Sequence, residues 1–212
     1  MNIALIGASG FIGSALLKEL LARGHRVTAL VRHPEKLPSQ PNLVALASDV
    51  LDTARLSAQL KGFDAVISAF SGHAQSNIYD YYMQGIQSII AATKQAGVPR
   101  LLVVGGAGSL EVAPGVQLMD TPDFPAAYQA TAEGARQALA LLQKESELNW
   151  TMLSPSAVIA PGQASGKFRL GGNQLLVATD GGSHISVEDY AAAMSDELEQ
   201  PAHSRQRFTV GD

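Results

Sequence analysis

The residues best placed to do chemistry come early, in Gly7-Ala8-Ser9-Gly10-Phe11-Ile12-Gly13. Glycines at this spacing mean little alone, but here they follow the strand-like run Asn2–Ile6 and open a helical pattern at residues 11–23. In such a turn the first glycine permits the tight reversal and the second lets a pyrophosphate approach the backbone. The third lets the helix pack close to the sheet. The helix N-terminus then offers free N–H groups and a partial positive charge to phosphates. Gly7, Ser9, Gly10, Phe11, Ile12 and Gly13 are therefore expected to hold a dinucleotide.

The end of the second strand should choose between dinucleotides. An acid there binds the ribose 2′-hydroxyl of NAD, whereas an arginine suits the 2′-phosphate of NADP. The chain has Arg32, with His33 and Lys36 close behind and no acid before Glu35. NADP is the expected cofactor; the alternative is an Arg32 that stacks on adenine or faces solvent. Asp49 after the third strand, and Ala69-Phe70-Ser71-Gly72 after the fourth, fall where the adenine and its ribose would lie. For Asp49, capping the helix that follows is an equal alternative.

These residues need a scaffold, and the hydrophobic pattern supplies one. Asn2–Ile6, Arg26–Val31, Leu43–Ala47, Ala65–Ser68 and residues 101–104 are short, apolar and partly β-branched, as strands buried on both faces should be. Residues 11–23 and 78–96 carry apolar stripes at helical spacing and stop at Gly24 and Gly97. Residues 125–145 read as a long helix, 150–154 as a strand, and Ser186 to Asp189 as a capping box that opens a last helix ending near Leu198. Residues 207–210 could close the sheet. Strands alternating with helices predict an α/β, Rossmann-like, doubly wound parallel sheet. Residues 1–212 are expected to form a single domain, with substrate-side loops at about 105–125 and 155–173.

Composition narrows the classes. With 46% apolar and 16% charged residues the chain can bury a sizeable core, and its formal charge of −4 argues against a nucleic-acid partner. Having no cysteine, it has no disulfide framework, thiolate metal site or cysteine nucleophile. The five histidines show no metal-ligand pairing, so they read as scattered surface residues and no metal is expected. No apolar run approaches a membrane span. The first residues lead straight into a strand, so a cytoplasmic protein is expected. Two motifs are decoys: Asn149-Trp150-Thr151 fits a glycosylation pattern inside a buried strand, and residues 162–168 imitate a phosphate loop one residue short.

Together, Gly7–Gly13, Asp49, Ser68-Ala69-Phe70 and Gly97-Val98-Pro99-Arg100 resemble an atypical short-chain dehydrogenase/reductase. Gly105-Gly106-Ala107-Gly108-Ser109-Leu110, Trp150-Thr151-Met152-Leu153-Ser154-Pro155-Ser156 and Ser186–Ala191 extend the likeness. They point to the small NAD(P)H-binding proteins similar to NADH-flavin and biliverdin-IXβ reductases. The resemblance implies a nicotinamide dinucleotide, with Pro155 and Ser156 packed by its nicotinamide. It also implies a catalytic Ser after the fifth strand, then a Tyr with a Lys four residues on. Ser109 and Tyr128 are the candidates, but the lysine position holds Ala132.

A phenol without that cation titrates near about 10, a poor match for acid–base work near neutrality. Hydride transfer to a flavin or quinone needs less, because its negative charge is delocalised and catalysis can rest on orientation. The expected activity is an NADPH-dependent reductase with such a small-molecule acceptor, which Ser109 and Tyr128 would hydrogen-bond. Tyr79, Tyr82, Met119, Phe124 and Phe168 would line its cleft. A non-catalytic NADP(H)-binding redox sensor is the alternative. Residues 125–145 suit either a homodimer interface or close packing on the sheet.

Overall fold

The computed structural model describes residues Met1–Asp212. Its strands are β1 (Asn2–Ile6), β2 (Arg26–Val31), β3 (Leu43–Ala47), β4 (Ala65–Ser68), β5 (Arg100–Val104), β6 (Glu111–Ala113), β7 (Val116–Gln117), β8 (Asn149–Ser154), β9 (Val158–Ala160), β10 (Arg169–Gly171), β11 (His184–Ser186) and β12 (Gln206–Gly211). The helices are α1 (Phe11–Ala22), α2 (Thr53–Gln59), α3 (Ile78–Ala96), α4 (Gln129–Gln143) and α5 (Val187–Glu199).

Eight strands form one sheet in the order β10-β12-β8-β5-β4-β1-β2-β3, and all but the antiparallel edge strand β10 run parallel. The chain winds outward from β1 to β3, then crosses back to β4. The strand order therefore reverses between β1 and β4, and at such a switch point the carboxyl ends leave a crevice for ligand. Alternate residues feed two cores. Ile3, Leu5, Val27 and Ile67 pack with Leu16, Leu20, Tyr190 and Met194 beneath α1 and α5. Ala4, Ile6, Leu30 and Val66 face α2, α3 and α4 with Leu56, Ile86, Ile89 and Leu139. Each fully buried Leu or Ile contributes about 1.5–3 kcal/mol.

The glycine stops behave as their sequence positions imply. Gly24 at φ 80° and Gly97 at φ 70° are left-handed, and the amides of His25 and Val98 close the ends on the carbonyls of Leu20 and Thr93. Three expectations need correction. β3 lies at the sheet edge, so Val44 and Leu46 face solvent rather than a second layer. Residues 125–145 are not one helix: Ala126–Tyr128 form a 3-10 turn before α4. The histidines are not all on the surface, because His25 is buried between the N-terminal amine and Glu199.

Beneath the sheet, Arg100 at the start of β5 donates to Glu197 of α5 at 2.6 Å, a buried ion pair. Glu197 also accepts from the amides of Ala202 and His203 and pairs with the His203 ring. Burial opposes its ionisation, but these partners hold the carboxyl below its usual range. This network ties α5 and the approach to β12 to the sheet.

Candidate cofactor site

The three loop glycines do different jobs. Gly7 sits at φ 80°, where a Cβ would stand 2.6 Å from the carbonyl oxygen of Ala69. A Cβ on Gly13 would run into the carbonyl oxygen of Gly7, so α1 packs onto the turn only without a side chain there. Gly10 is under neither constraint. Its φ of −81° and ψ of 175° suit any residue, and the nearest atom to an added Cβ is the Gly7 carbonyl oxygen at 3.4 Å. Gly10 is the N-cap of α1, no side chain caps that end, and the first turn carries no acid. Ser9 and Gly10 are exposed. The result is an open ledge of backbone N–H groups at a positive helix end, which fits a pyrophosphate.

Around this ledge the crevice splits in two. Gly7, Ser9, Gly10, Val50, Phe70 and Tyr81 help to line an inner cavity of about 230 Å³. Ser9 and Arg32 also border an outer groove of about 850 Å³, which adds Lys18, His33 and Lys36 and has no Asp or Glu in its lining. In a chain of net charge −4 this is a locally basic groove. Phe70 is set by its contact with Gly85 of α3, where a Cβ would strike its ring, and stacks on Tyr82. Asp49 turns its carboxylate back onto the amide of Leu51, while Ser48 and Val50 line the cavity. Asp52, not Asp49, caps α2, by accepting from the Arg55 amide.

The remaining expected site residues follow β5 and β8 and line neither of these two spaces. Pro155 is buried, and the Ser156 hydroxyl donates to the carbonyl of Val210 at 3.0 Å. Ser109 is 4% exposed, and Arg207 donates to its hydroxyl at 3.3 Å while gripping Asn173. Burial draws the Arg207 guanidinium below its ordinary value, against the opposing pull of Glu111. Tyr128 stands 61% exposed at the start of α4. Ala132 is buried, its methyl 2.7 Å from where a Cβ on Gly108 would lie, so close packing occupies the lysine position. Tyr82 and Met119 belong to the interior rather than the cleft.

Two features escaped the sequence patterns. The Arg207–Ser109 contact joins residues 98 apart in the chain. The phosphate-loop decoy is filled by carboxylates: Glu188 takes the amide of Gly162, and Asp189 takes those of Ser165 and Gly166. Asp189 accepts from the Ser186 hydroxyl rather than its amide, so the expected capping box is half formed. The acid pair behind Ser186 was the available signal, although nothing local tied it to the loop.

A doubly wound sheet with an open glycine ledge at its switch point defines a dinucleotide-binding α/β protein. The NAD(P)H-binding family model matches residues 7–201, and the chain belongs to that family. It is 42% identical to the uncharacterized protein YwnB of Bacillus subtilis, over 99% of this chain and 98% of that protein. A candidate epimerase of Bacteroides thetaiotaomicron superposes with TM-score 0.93 at 48% identity, covering 99% of this chain and 96% of that one. A candidate NADH-flavin reductase of Streptococcus pneumoniae gives TM-score 0.86 at 35% identity, covering 100% and 99%. A longer enzyme, 2-alkyl-3-oxoalkanoate reductase of Stenotrophomonas maltophilia, is 29% identical over 76% of this chain but only 52% of its own length. No helix is long and apolar enough to cross a membrane.

Proposed function

We propose that the protein is an NADPH-preferring reductase that passes hydride to a flavin- or quinone-like acceptor. The observation that carries the dinucleotide dependence is Gly10. Neither its backbone angles nor its neighbours require glycine, so its missing side chain serves a ligand. The amides at the start of α1 hold the pyrophosphate, and Arg32, in a groove without acids, favours a 2′-phosphate. A bound reduced nicotinamide supplies the hydride. The chain's own contribution is to orient the rings and keep water from between them. Pro155 and Ser156 pack by the nicotinamide, while Phe70 walls the inner cavity where the adenine and its ribose lie.

The Streptococcus relative's name supports the acceptor class. The Bacteroides relative's name points elsewhere, but chemistry at a sugar carbinol in this fold calls for a Tyr/Lys pair, and here Ala132 is packed against Gly108. One observation favours a second reading, the redox sensor: the Ser109 hydroxyl is buried and already engaged by Arg207. The test is NADPH consumption with and without FMN, riboflavin or a water-soluble quinone, beside calorimetric titration of NADPH and NADH. Acceptor-dependent turnover supports the reductase. Tight NADPH binding without turnover supports the sensor.

A further inference from the structure

The inner cavity and the outer groove share Ser9 and Arg32, and the groove is much the larger, about 850 Å³ against about 230 Å³. Beyond that junction, three stretches of chain line the groove. Ser14 and Lys18 lie one turn apart on α1, Lys36 ends the 3-10 turn that follows β2, and Gln40 and Asn42 lead into β3. Lys18, Arg32 and Lys36 are exposed, and none of them has an ion-pair partner. His33 is turned aside to Glu35, its Nδ1 3.2 Å from a carboxylate that lies outside the lining. Three uncommitted cations thus border one groove without an acid, among hydroxyls and neutral amides.

We propose that this groove accepts a phosphate on either the 2′- or the 3′-oxygen of an adenosine ribose, so that 3′-phosphorylated adenine nucleotides compete with NADPH. The inference rests on the dinucleotide reading given above. With the base in the inner cavity and the 5′-phosphates on the Gly10 ledge, the ribose spans the junction at Ser9 and Arg32. Its 2′- and 3′-oxygens are neighbours on that one ring. A site selects one of two such positions by donors fixed around it, or by a group that repels the other. Arg32 supplies the groove's one rigid fork of donors, whereas Lys18 and Lys36 are point charges on flexible stems that can follow a phosphate. No carboxylate in the lining stands against either position. The groove therefore reads the charge of a ribose phosphate more strictly than its place on the ring.

The test is calorimetric titration of AMP, adenosine 2′,5′-bisphosphate and adenosine 3′,5′-bisphosphate into the full chain at low salt, where exposed charges are least screened. It needs no turnover. Both bisphosphates should bind roughly tenfold or more tighter than AMP, the scale of a charge-assisted contact. The two should differ from each other by less than either differs from AMP. Each should raise the apparent dissociation constant of NADPH in competition. The double variant Lys18→Glu/Lys36→Glu changes exposed side chains and should keep its urea unfolding midpoint. In it the advantage of the 3′,5′-bisphosphate over AMP should disappear. A 3′,5′-bisphosphate no tighter than AMP, beside a 2′,5′-bisphosphate that is tighter, overturns the inference and leaves the NADPH preference standing. A 3′ advantage that survives the double charge reversal, or that does not displace NADPH, also overturns it. If neither bisphosphate gains over AMP, the NADPH preference itself fails and the inference falls with it.

Discussion

A Cβ on Gly10 would meet nothing nearer than the carbonyl oxygen of Gly7, at 3.4 Å, whereas one on Gly13 would collide with that same oxygen. The two glycines should therefore fail differently. Gly10→Val should fold with its unfolding midpoint nearly unchanged and lose dinucleotide binding by calorimetry. Gly13→Val should lose fold stability first, by about 1–3 kcal/mol or more, as overpacking does, measured by urea unfolding. A folded Gly10→Val protein with unchanged NADPH affinity would reduce the ledge to a turn.

Arg32 borders both the inner cavity and the outer basic groove. Charge-assisted hydrogen bonds to a 2′-phosphate are worth about 1.5–3 kcal/mol. Arg32→Ala should thus weaken NADPH binding by roughly tenfold or more on that scale, with a smaller loss for NADH. Lys18→Glu and Lys36→Glu should move the same ratio in the same direction, by less. Equal losses for both cofactors in Arg32→Ala would leave that residue as an adenine-stacking or structural side chain.

Most of the scaffold was legible because its strands are buried and apolar and its helices end at glycines. Gly24 and Gly97 mark α1 and α3 without reference to anything distant. What stayed hidden depends on contacts between residues far apart in the chain. Tyr128 begins a helix rather than sitting inside one, and the alanines around it look helical either way. β10 hides in a glycine-rich stretch because its pairing partner is β12, near the other end of the second half. Arg207 on Ser109 and Asp189 on Ser165 are side-chain partnerships with no local spacing to announce them. The cofactor loop is the opposite case, a site whose chemistry is carried by consecutive backbone atoms.

Asp189 is a buried carboxylate that ties α5 to the loop at residues 162–168. Burial alone would raise its pKa, but the amides of Gly166 and Ser165 and the hydroxyls of Ser165 and Ser186 hold it below its usual value. A carboxyl depressed on folding stabilises the native state above its unfolded value of about 3.9, and that stability is lost as pH falls through the folded value. Asp189→Asn should lower stability at neutral pH by roughly 1.5–3 kcal/mol and flatten its decline in acid. It should also open the loop to limited proteolysis. Urea midpoints across the acid range check the first two outcomes. An unchanged acid decline would assign the sensitivity to Glu197, the other buried carboxyl held low.

Tyr128 and Ala132 sit one turn apart at the start of α4, one exposed and the other buried against Gly108. In a dehydrogenase acting on ketones, a lysine at the second position would activate the phenol at the first. Here a lysine stem would have to extend from a buried Cβ that already faces Gly108. Ala132→Lys should therefore destabilise the fold by about 1–3 kcal/mol without creating ketone reductase activity. Tyr128→Phe removes one hydroxyl and little volume, so it tests the proton role with little change in packing. Flavin or quinone reduction should survive that change within about tenfold, roughly 1.4 kcal/mol of barrier. Ketone reduction should be weak in both forms. A general acid contributes about 10²–10⁴-fold, so a loss in that range in steady-state kinetics would return Tyr128 to the chemistry.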